Sequence, residues 1–265
     1  MNLKQIMDAL SCLSARSATL ALRRPSQLRR YISNCLKTYD ELVGAGLPPR
    51  APVAPAEDLI VTLPAYNSGG GMSFDELVLL ARVTKVLQPR TIFEFGTYDG
   101  LTTAVFVLNS DPKARVLTLD LPRTGAEDHP ALSSDAELVS NRRLLSVPEK
   151  LALSSYTQIL CDSMQFDPSP YANSVDLGLI DAAHDLAHVQ NDTVKMATMM
   201  SDAGLVFWHD YGGKGALRPL ASYLEGLATR CPLYRIRGTS LAWGPARELK
   251  ATLGTENVRR YPKAA

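Results

Sequence analysis

From Pro89 onward the chain alternates short, almost wholly apolar runs with longer amphipathic ones. Residues 91–95, 115–119, 157–160, 175–180 and 204–208 have the length and near-continuous hydrophobicity of strands buried on both faces of a parallel sheet. Residues 101–110 and 184–201, lying between them, have helical length and spacing. Strands alternating with helices predict an open α/β sheet. A further helix is expected at 217–230, and then two strands, 233–237 and 240–243, separated only by Gly238 and Thr239. So short a connection cannot make a parallel crossover, so this pair must be an antiparallel hairpin at the sheet edge.

Upstream, Ser73 and Glu76 have the spacing of a capping box, which predicts a helix from Ser73 to the stop at Pro89, with Leu77, Val78, Ala81, Val83, Val86 and Leu87 as its apolar stripe. The first part of the chain carries Ile6, Leu10 and Leu13, then Leu20, Leu28, Ile32 and Leu36, mostly at helical steps and broken at Pro25. That pattern suits an amphipathic arm able to dock a partner or a second copy. Residues 47–55, rich in Pro and Ala, read as an extended, unpaired linker. Three segments are expected: an arm and linker at 1–55, a main domain at 56–250 and a polar tail at 251–265.

Composition narrows the function classes. Of 265 residues, 46% are hydrophobic and 21% charged, and no apolar run reaches the roughly 18 residues of a membrane-spanning helix, which excludes fibrous, disordered and membrane-spanning readings. The formal charge of +1 hides an asymmetry, because residues 1–50 hold eight Lys/Arg against three Asp/Glu. The main body is therefore acidic and offers no footprint for duplex nucleic acid. Cys12, Cys35, Cys161 and Cys231 are scattered, and Gln5 and Asp8 interrupt any export signal, so a reducing, cytoplasmic setting is expected.

The first predicted strand runs into Glu94-Phe95-Gly96-Thr97-Tyr98-Asp99-Gly100, and a helix follows. Glycines at 96 and 100 allow a sharp turn and close approach to a ligand beside a helix N-terminus. The spacing lacks the third glycine of a dinucleotide fingerprint, which disfavours an NAD-dependent oxidoreductase. Asp120 closes the second strand, where a carboxylate can bind the hydroxyls of a ribose. A glycine loop plus a ribose acid indicates an adenosyl cofactor.

These residues resemble the class I S-adenosylmethionine-dependent methyltransferases, and in particular the catechol-O-methyltransferase-like branch. Glu94 to Gly100 is similar to the family's first motif, and the strand ending at Asp120 to its second. Cys161-Asp162-Ser163 resembles the turn facing the adenine, Leu179 to Asp185 with His188 and Asp192 the fourth-strand motif, and Phe207-Trp208-His209-Asp210-Tyr211 an H-D-Y ending of strand five. The resemblance runs from Ser73 to Trp243. It implies a Rossmann-like sheet of about seven strands with an antiparallel C-terminal hairpin, and S-adenosylmethionine held by Glu94, Gly96, Thr97, Gly100, Asp120, Asp162, Ser163 and Asp181. It also implies methyl transfer, with the oxygen of a small molecule or sugar as the expected acceptor.

Asp181 and Asp210 each end a parallel strand, with His184 and His209 beside them, so four ionisable groups are expected at the carboxyl edge of the sheet as catalytic candidates. The resemblance also implies that acids at these strand ends can hold a divalent metal that would lower the pKa of an acceptor hydroxyl, which makes Asp181, His209 and Asp210 its candidate ligands. A histidine in place of a hard oxygen ligand speaks against Mg²⁺, and favours an account in which a histidine removes the proton without metal. A long stretch after Asp120, with a helix expected at 136–151 carrying Arg142 and Arg143, suits a lid. A non-catalytic adenosyl-binding scaffold docking through the arm is the alternative from another class.

Overall fold

The computed structural model describes residues 46–54, 59–65, 71–122, 145–183, 185–212 and 218–260, with side chains as far as residue 254. The arm at 1–45, most of the expected lid helix with Arg142 and Arg143, and His184 lie outside the described residues. Two units are distinguished, Met1–Gly46 and Leu47–Ala265, and the sheet belongs to the second.

In chain order the elements are α1 (Phe74–Leu87), β1 (Thr91–Phe95), α2 (Leu101–Asn109), β2 (Arg115–Asp120), α3 (Ser146–Lys150), β3 (Tyr156–Leu160), a 3₁₀ turn (Ser169–Tyr171), β4 (Val175–Ile180), α4 (Leu186–Met199), β5 (Met200–Trp208), α5 (Arg218–Leu227), β6 (Tyr234–Arg235), β7 (Ala242–Pro245) and α6 (Ala246–Arg260). The sheet order is β3-β2-β1-β4-β5-β7-β6. β1 to β5 are parallel, and β7 runs antiparallel to both β5 and β6. The expected Rossmann-like sheet and its antiparallel end are therefore present. The boundary expected at 250 falls inside α6.

Side-chain alternation builds a core on each face of the sheet. Phe93, Phe95, Leu117, Leu119, Val206 and Trp208 face one side, packing with α4, α5 and α6 residues such as Met196, Leu224 and Leu249. Ile92, Val116, Leu177, Leu179 and Phe207 face the other, packing with Leu77, Leu80, Val105 and Phe106 of α1 and α2. Glu94 belongs to this second face by the same alternation, which carries a carboxylate into the interior. β3 departs from the expectation of burial on both faces: it is an edge strand, and Leu160 is 52% exposed.

Three local expectations change. The capping box forms as expected, but α1 buries Glu76, Leu77, Leu80, Ala81, Val83 and Thr84 and leaves Val86 and Leu87 exposed. The hairpin strands are shorter than expected: Ile236 N–H donates to the Leu241 carbonyl (3.0 Å) across a wider turn, and Ser240 leaves the ladder to donate both its amide and its hydroxyl to Glu76. The linker is extended but not unpaired. Pro49 bridges Arg235 in parallel, Arg50 N–H donates to the Arg235 carbonyl (3.0 Å), and Arg235 Nε donates to the Leu47 carbonyl (3.0 Å), so the segment blunts the exposed edge of β6.

Leu47 is 3% exposed and packs in the first core, while its amide donates to the Tyr211 hydroxyl (2.7 Å). Leu47→Ala keeps that hydrogen bond and removes only packing. It is expected to cost about 2–4 kcal/mol in urea unfolding, and a loss below about 0.5 kcal/mol would show that the strap is not part of the core.

Candidate functional site

The chain steps outward from β1 through β2 to β3 and then returns to place β4 on β1's other side, so the crevice between the carboxyl ends of β1 and β4 is the switch point of the sheet. Gly96 sits there at φ +95°, and a Cβ on it would strike the Asp181 carbonyl oxygen and come within 2.6 Å of the Asp181 carbonyl carbon. The close approach that requires glycine is therefore to the backbone of β4, in addition to any ligand. Gly100, at φ +80°, is the N-cap of α2, and a Cβ on it would lie 2.7 Å from Pro148 Cδ. The loop is thus wedged between β4 and α3.

Asp120 anchors this loop. Its Oδ2 accepts the Tyr98 N–H (2.9 Å) and its Oδ1 the Leu121 N–H (2.7 Å), which leaves the carboxylate half-buried at the end of β2. Thr97 turns inward, its hydroxyl 2.6 Å from that of Thr118. Glu94, two residues before Gly96, is 1% exposed and accepts from the Thr103 hydroxyl of α2 (2.5 Å). Burial pushes the Glu94 carboxyl up to about 8; hydrogen bonds from Thr103 and Thr118 oppose this, and the charges of Asp181 and Asp120 add to it. Glu94 and Thr97 are hence both turned into the interior, Glu94 toward α2 and Thr97 toward β2.

Past β3, Asp162 caps the following turn by accepting from the Met164 N–H (2.8 Å) and Gln165 Nε2 (3.3 Å). The buried Ser163 fixes the turn to α4, because its carbonyl accepts from Asn191 Nδ2 (3.0 Å) and Lys195 Nζ (2.5 Å). Asp192 is fully buried on the same helix, and burial pushes its carboxyl up to about 6. The cap of α4 is Asp185, which accepts from the Ala187 and His188 amides. The His188 side chain is only 12% exposed, with Nδ1 2.7 Å from Asp185 Oδ2.

Asp181, His209 and Asp210 do converge. His209 Nδ1 lies 3.0 Å from Asp181 Oδ1 and 3.3 Å from Asp210 Oδ2, and Asp210 adopts φ +61°, an unfavourable conformation for a residue other than glycine. Sequence reasoning missed the fourth member, Glu76: His209 Nε2 lies 3.4 Å from its Oε2 and 3.2 Å from Ser240 Oγ. The capping box was legible as a helix start; its reach to Ser240, 164 residues away, was not. Burial favours a neutral imidazole, but the charge of Asp181, with Asp210 and Glu76 also in contact, raises the proton affinity of His209 well above the ordinary value. Burial likewise raises the Glu76 carboxyl, yet His209 and Ser240 overcome it and hold Glu76 well below the usual range.

The same geometry fits a cation. One donor atom each from Asp181, His209 and Asp210 lies within 4.8 Å of the others. Nδ1 is buried and makes no aligned hydrogen bond despite its two carboxylate neighbours. One imidazole with two carboxylates suits Mn²⁺, Fe²⁺ or Zn²⁺ better than Mg²⁺.

Residues 93–211 match the family model of a methyltransferase domain. This chain contains a methyltransferase domain. The match begins in β1 and ends at Tyr211, so it spans the glycine loop, Asp120 and Asp181, and the methyltransferase resemblance drawn from the motifs agrees with it. No curated protein matches the methyltransferase. Among solved structures, it is similar to a putative caffeoyl-CoA O-methyltransferase from Staphylococcus aureus (14% identity, 80% of this chain and 91% of that one, TM-score 0.49). Others are the O-methyltransferase TomG from Streptomyces achromogenes in complex with SAM (16%, 66% and 81%, 0.48) and the SAH-bound methyltransferase PaMTH1 from Podospora anserina (14%, 65% and 78%, 0.48). Among the described residues, no helix is long and apolar enough to cross a membrane.

Glu94 gives this methyltransferase a pH-dependent stability. The unfolded carboxyl releases its proton near the ordinary 4.5 and the folded one near 8, so folding binds a proton between these values and stability falls as pH rises through that window. Glu94→Gln removes the linkage. Thermal unfolding of both proteins from pH 5 to pH 8 is expected to show a shallower decline in the variant, and equal slopes would contradict the buried acid.

Proposed function

We propose that this methyltransferase moves the sulfonium methyl of S-adenosylmethionine to a hydroxyl oxygen of a small molecule or sugar. The observation that carries the reading is the juxtaposition, at one sheet edge, of a glycine loop and Asp120 beside β1 with the Asp181-His209-Asp210 cluster beyond β4. The loop backbone from Gly96 to Gly100 and the Asp120 carboxylate receive the amino acid and ribose parts. The Asp162-Ser163 turn faces the adenine. Thr97, buried within the loop and bonded to Thr118, and Glu94, buried just before the loop, support the cofactor by fixing the loop's shape.

The acceptor hydroxyl releases its proton to solvent past the carboxylates of Asp181 and Asp210, and its oxygen attacks the methyl carbon in line; the carbon–sulfur bond breaks as the carbon–oxygen bond forms, and S-adenosylhomocysteine leaves as a neutral thioether. Asp181, His209 and Asp210 would hold a divalent cation, which when bound lowers the pKa of the acceptor hydroxyl. The two aspartates hold negative charge where the acceptor proton departs, and His209 holds their separation. A cytoplasmic setting belongs to the same proposal, supported by the free thiols of Cys161 and Cys231. Docking or self-association through the arm rests on its sequence pattern.

Calorimetric titration with S-adenosylmethionine tests the cofactor directly. Saturable binding is expected, weakened by about 1–3 kcal/mol in Asp120→Ala, the scale of a charge-assisted hydrogen bond. Absence of binding at millimolar ligand would defeat the proposal. For the metal, methyl transfer from labelled cofactor to hydroxyl acceptors should cease on chelation and return with Mn²⁺; transfer that survives chelation would restore the metal-free account.

A further inference from the structure

We propose that Glu76, the capping-box carboxylate of α1, is a positioning residue for the methyl-transfer site: it fixes the ring of His209 so that Nδ1 faces the gap between Asp181 and Asp210. The inference rests on the reading of those three residues as a divalent-cation site.

A capping box requires one contact from its glutamate, back to the N-cap amide, and Glu76 makes it through Oε2 to Ser73 N–H (2.7 Å). The rest of its bonding serves no helix. Oε1 accepts both the Ser240 amide (2.6 Å) and the Ser240 hydroxyl (2.7 Å), and Oε2 lies 3.4 Å from His209 Nε2. With three donors and 2% exposure the carboxylate has a single orientation.

The hydrogen positions then follow by elimination. The Ser240 hydroxyl gives its only hydrogen to Glu76, so its oxygen presents a lone pair to His209 Nε2 at 3.2 Å. The carboxylate of Glu76 can only accept. Nε2 therefore faces two acceptors and must carry hydrogen, which places the ring nitrogen that remains for an ion, Nδ1, on the side of Asp181 and Asp210. Histidine ligands are held in this way by a carboxylate on the far nitrogen, which sets both tautomer and ring angle and raises the basicity of the ligating nitrogen. Glu76 reaches this position because α1 begins beside the β6–β7 turn, and Ser240 leaves the hairpin ladder to meet it.

The test compares Mn²⁺ affinity of the full-length wild type, Glu76→Gln and Ser240→Ala, each stripped of metal, by calorimetry, with S-adenosylmethionine affinity and thermal stability measured on the same samples. Gln satisfies a capping box, so the helix start is retained while the charge facing His209 is lost. Glu76→Gln is expected to weaken Mn²⁺ binding by roughly 10- to 100-fold, the scale for loss of an outer-shell carboxylate, and to leave cofactor affinity unchanged. Ser240→Ala, which leaves the Ser73 contact in place, is expected to weaken Mn²⁺ in the same direction by a smaller factor and decides the matter if Glu76→Gln does not fold. The Co²⁺ absorption spectrum should change in both variants, because it reports how the imidazole nitrogen sits in the ligand set. Equal Mn²⁺ affinity in all three proteins would overturn the proposal. A wild type that binds S-adenosylmethionine but no Mn²⁺ would overturn it while leaving methyl transfer standing, and a wild type that binds neither would remove both.

Discussion

At the carboxyl ends of β1 and β4 two backbones approach so closely that residue 96 has no room for a Cβ, because the Asp181 carbonyl occupies that space. Everything downstream depends on this contact. It keeps the paired strand ends level, Phe95 opposite Ile180, and it starts the glycine loop and the Asp181 turn from neighbouring points. The crevice they frame lies where the strand order reverses, the position at which open α/β sheets bind ligands. Asp120 ties the loop to β2 through the Tyr98 amide, and Gly100 seats it against α3. The loop is therefore shaped by its neighbours on three sides before a cofactor arrives.

Electrostatics organises the far side of the crevice. Asp181, Asp210 and Glu76 surround one imidazole, and three carboxylates around a buried ring demand positive charge in the gap. A proton on His209 meets that demand when no ion is held; a divalent cation meets it with more charge and in the place where an acceptor oxygen would be activated. The high proton affinity of His209 and its fit as a ligand have the same cause. Tyr211, next in the chain, carries this region to the strap at Leu47 through its hydroxyl.

Much of the fold was legible because period-two alternation and near-continuous apolar runs report burial directly. β1 and β4 begin and end where the hydrophobic pattern says, and β5 extends back to Met200, because Met200 pairs with Val175 across a register shift. The hairpin was placed correctly in direction but not in length, since Ser240 obeys a partner on α1 that no local pattern announces. Asp181, His209 and Asp210 were expected together from their strand ends, and their side chains do converge. Glu76 was not, since a capping-box glutamate looks the same whether its second oxygen meets water or a histidine. Gly96 was recognised for its conformational freedom, though the neighbour that demands it belongs to another strand.

The most direct measurement is a crystal structure of the protein grown with S-adenosylhomocysteine. The account predicts the nucleoside in the crevice between β1 and β4, its ribose hydroxyls on the Asp120 carboxylate, its adenine against the Asp162-Ser163 turn and its sulfur directed toward the Asp181-His209-Asp210 cluster. A nucleoside bound elsewhere, or one whose sulfur faces away from that cluster, would contradict it.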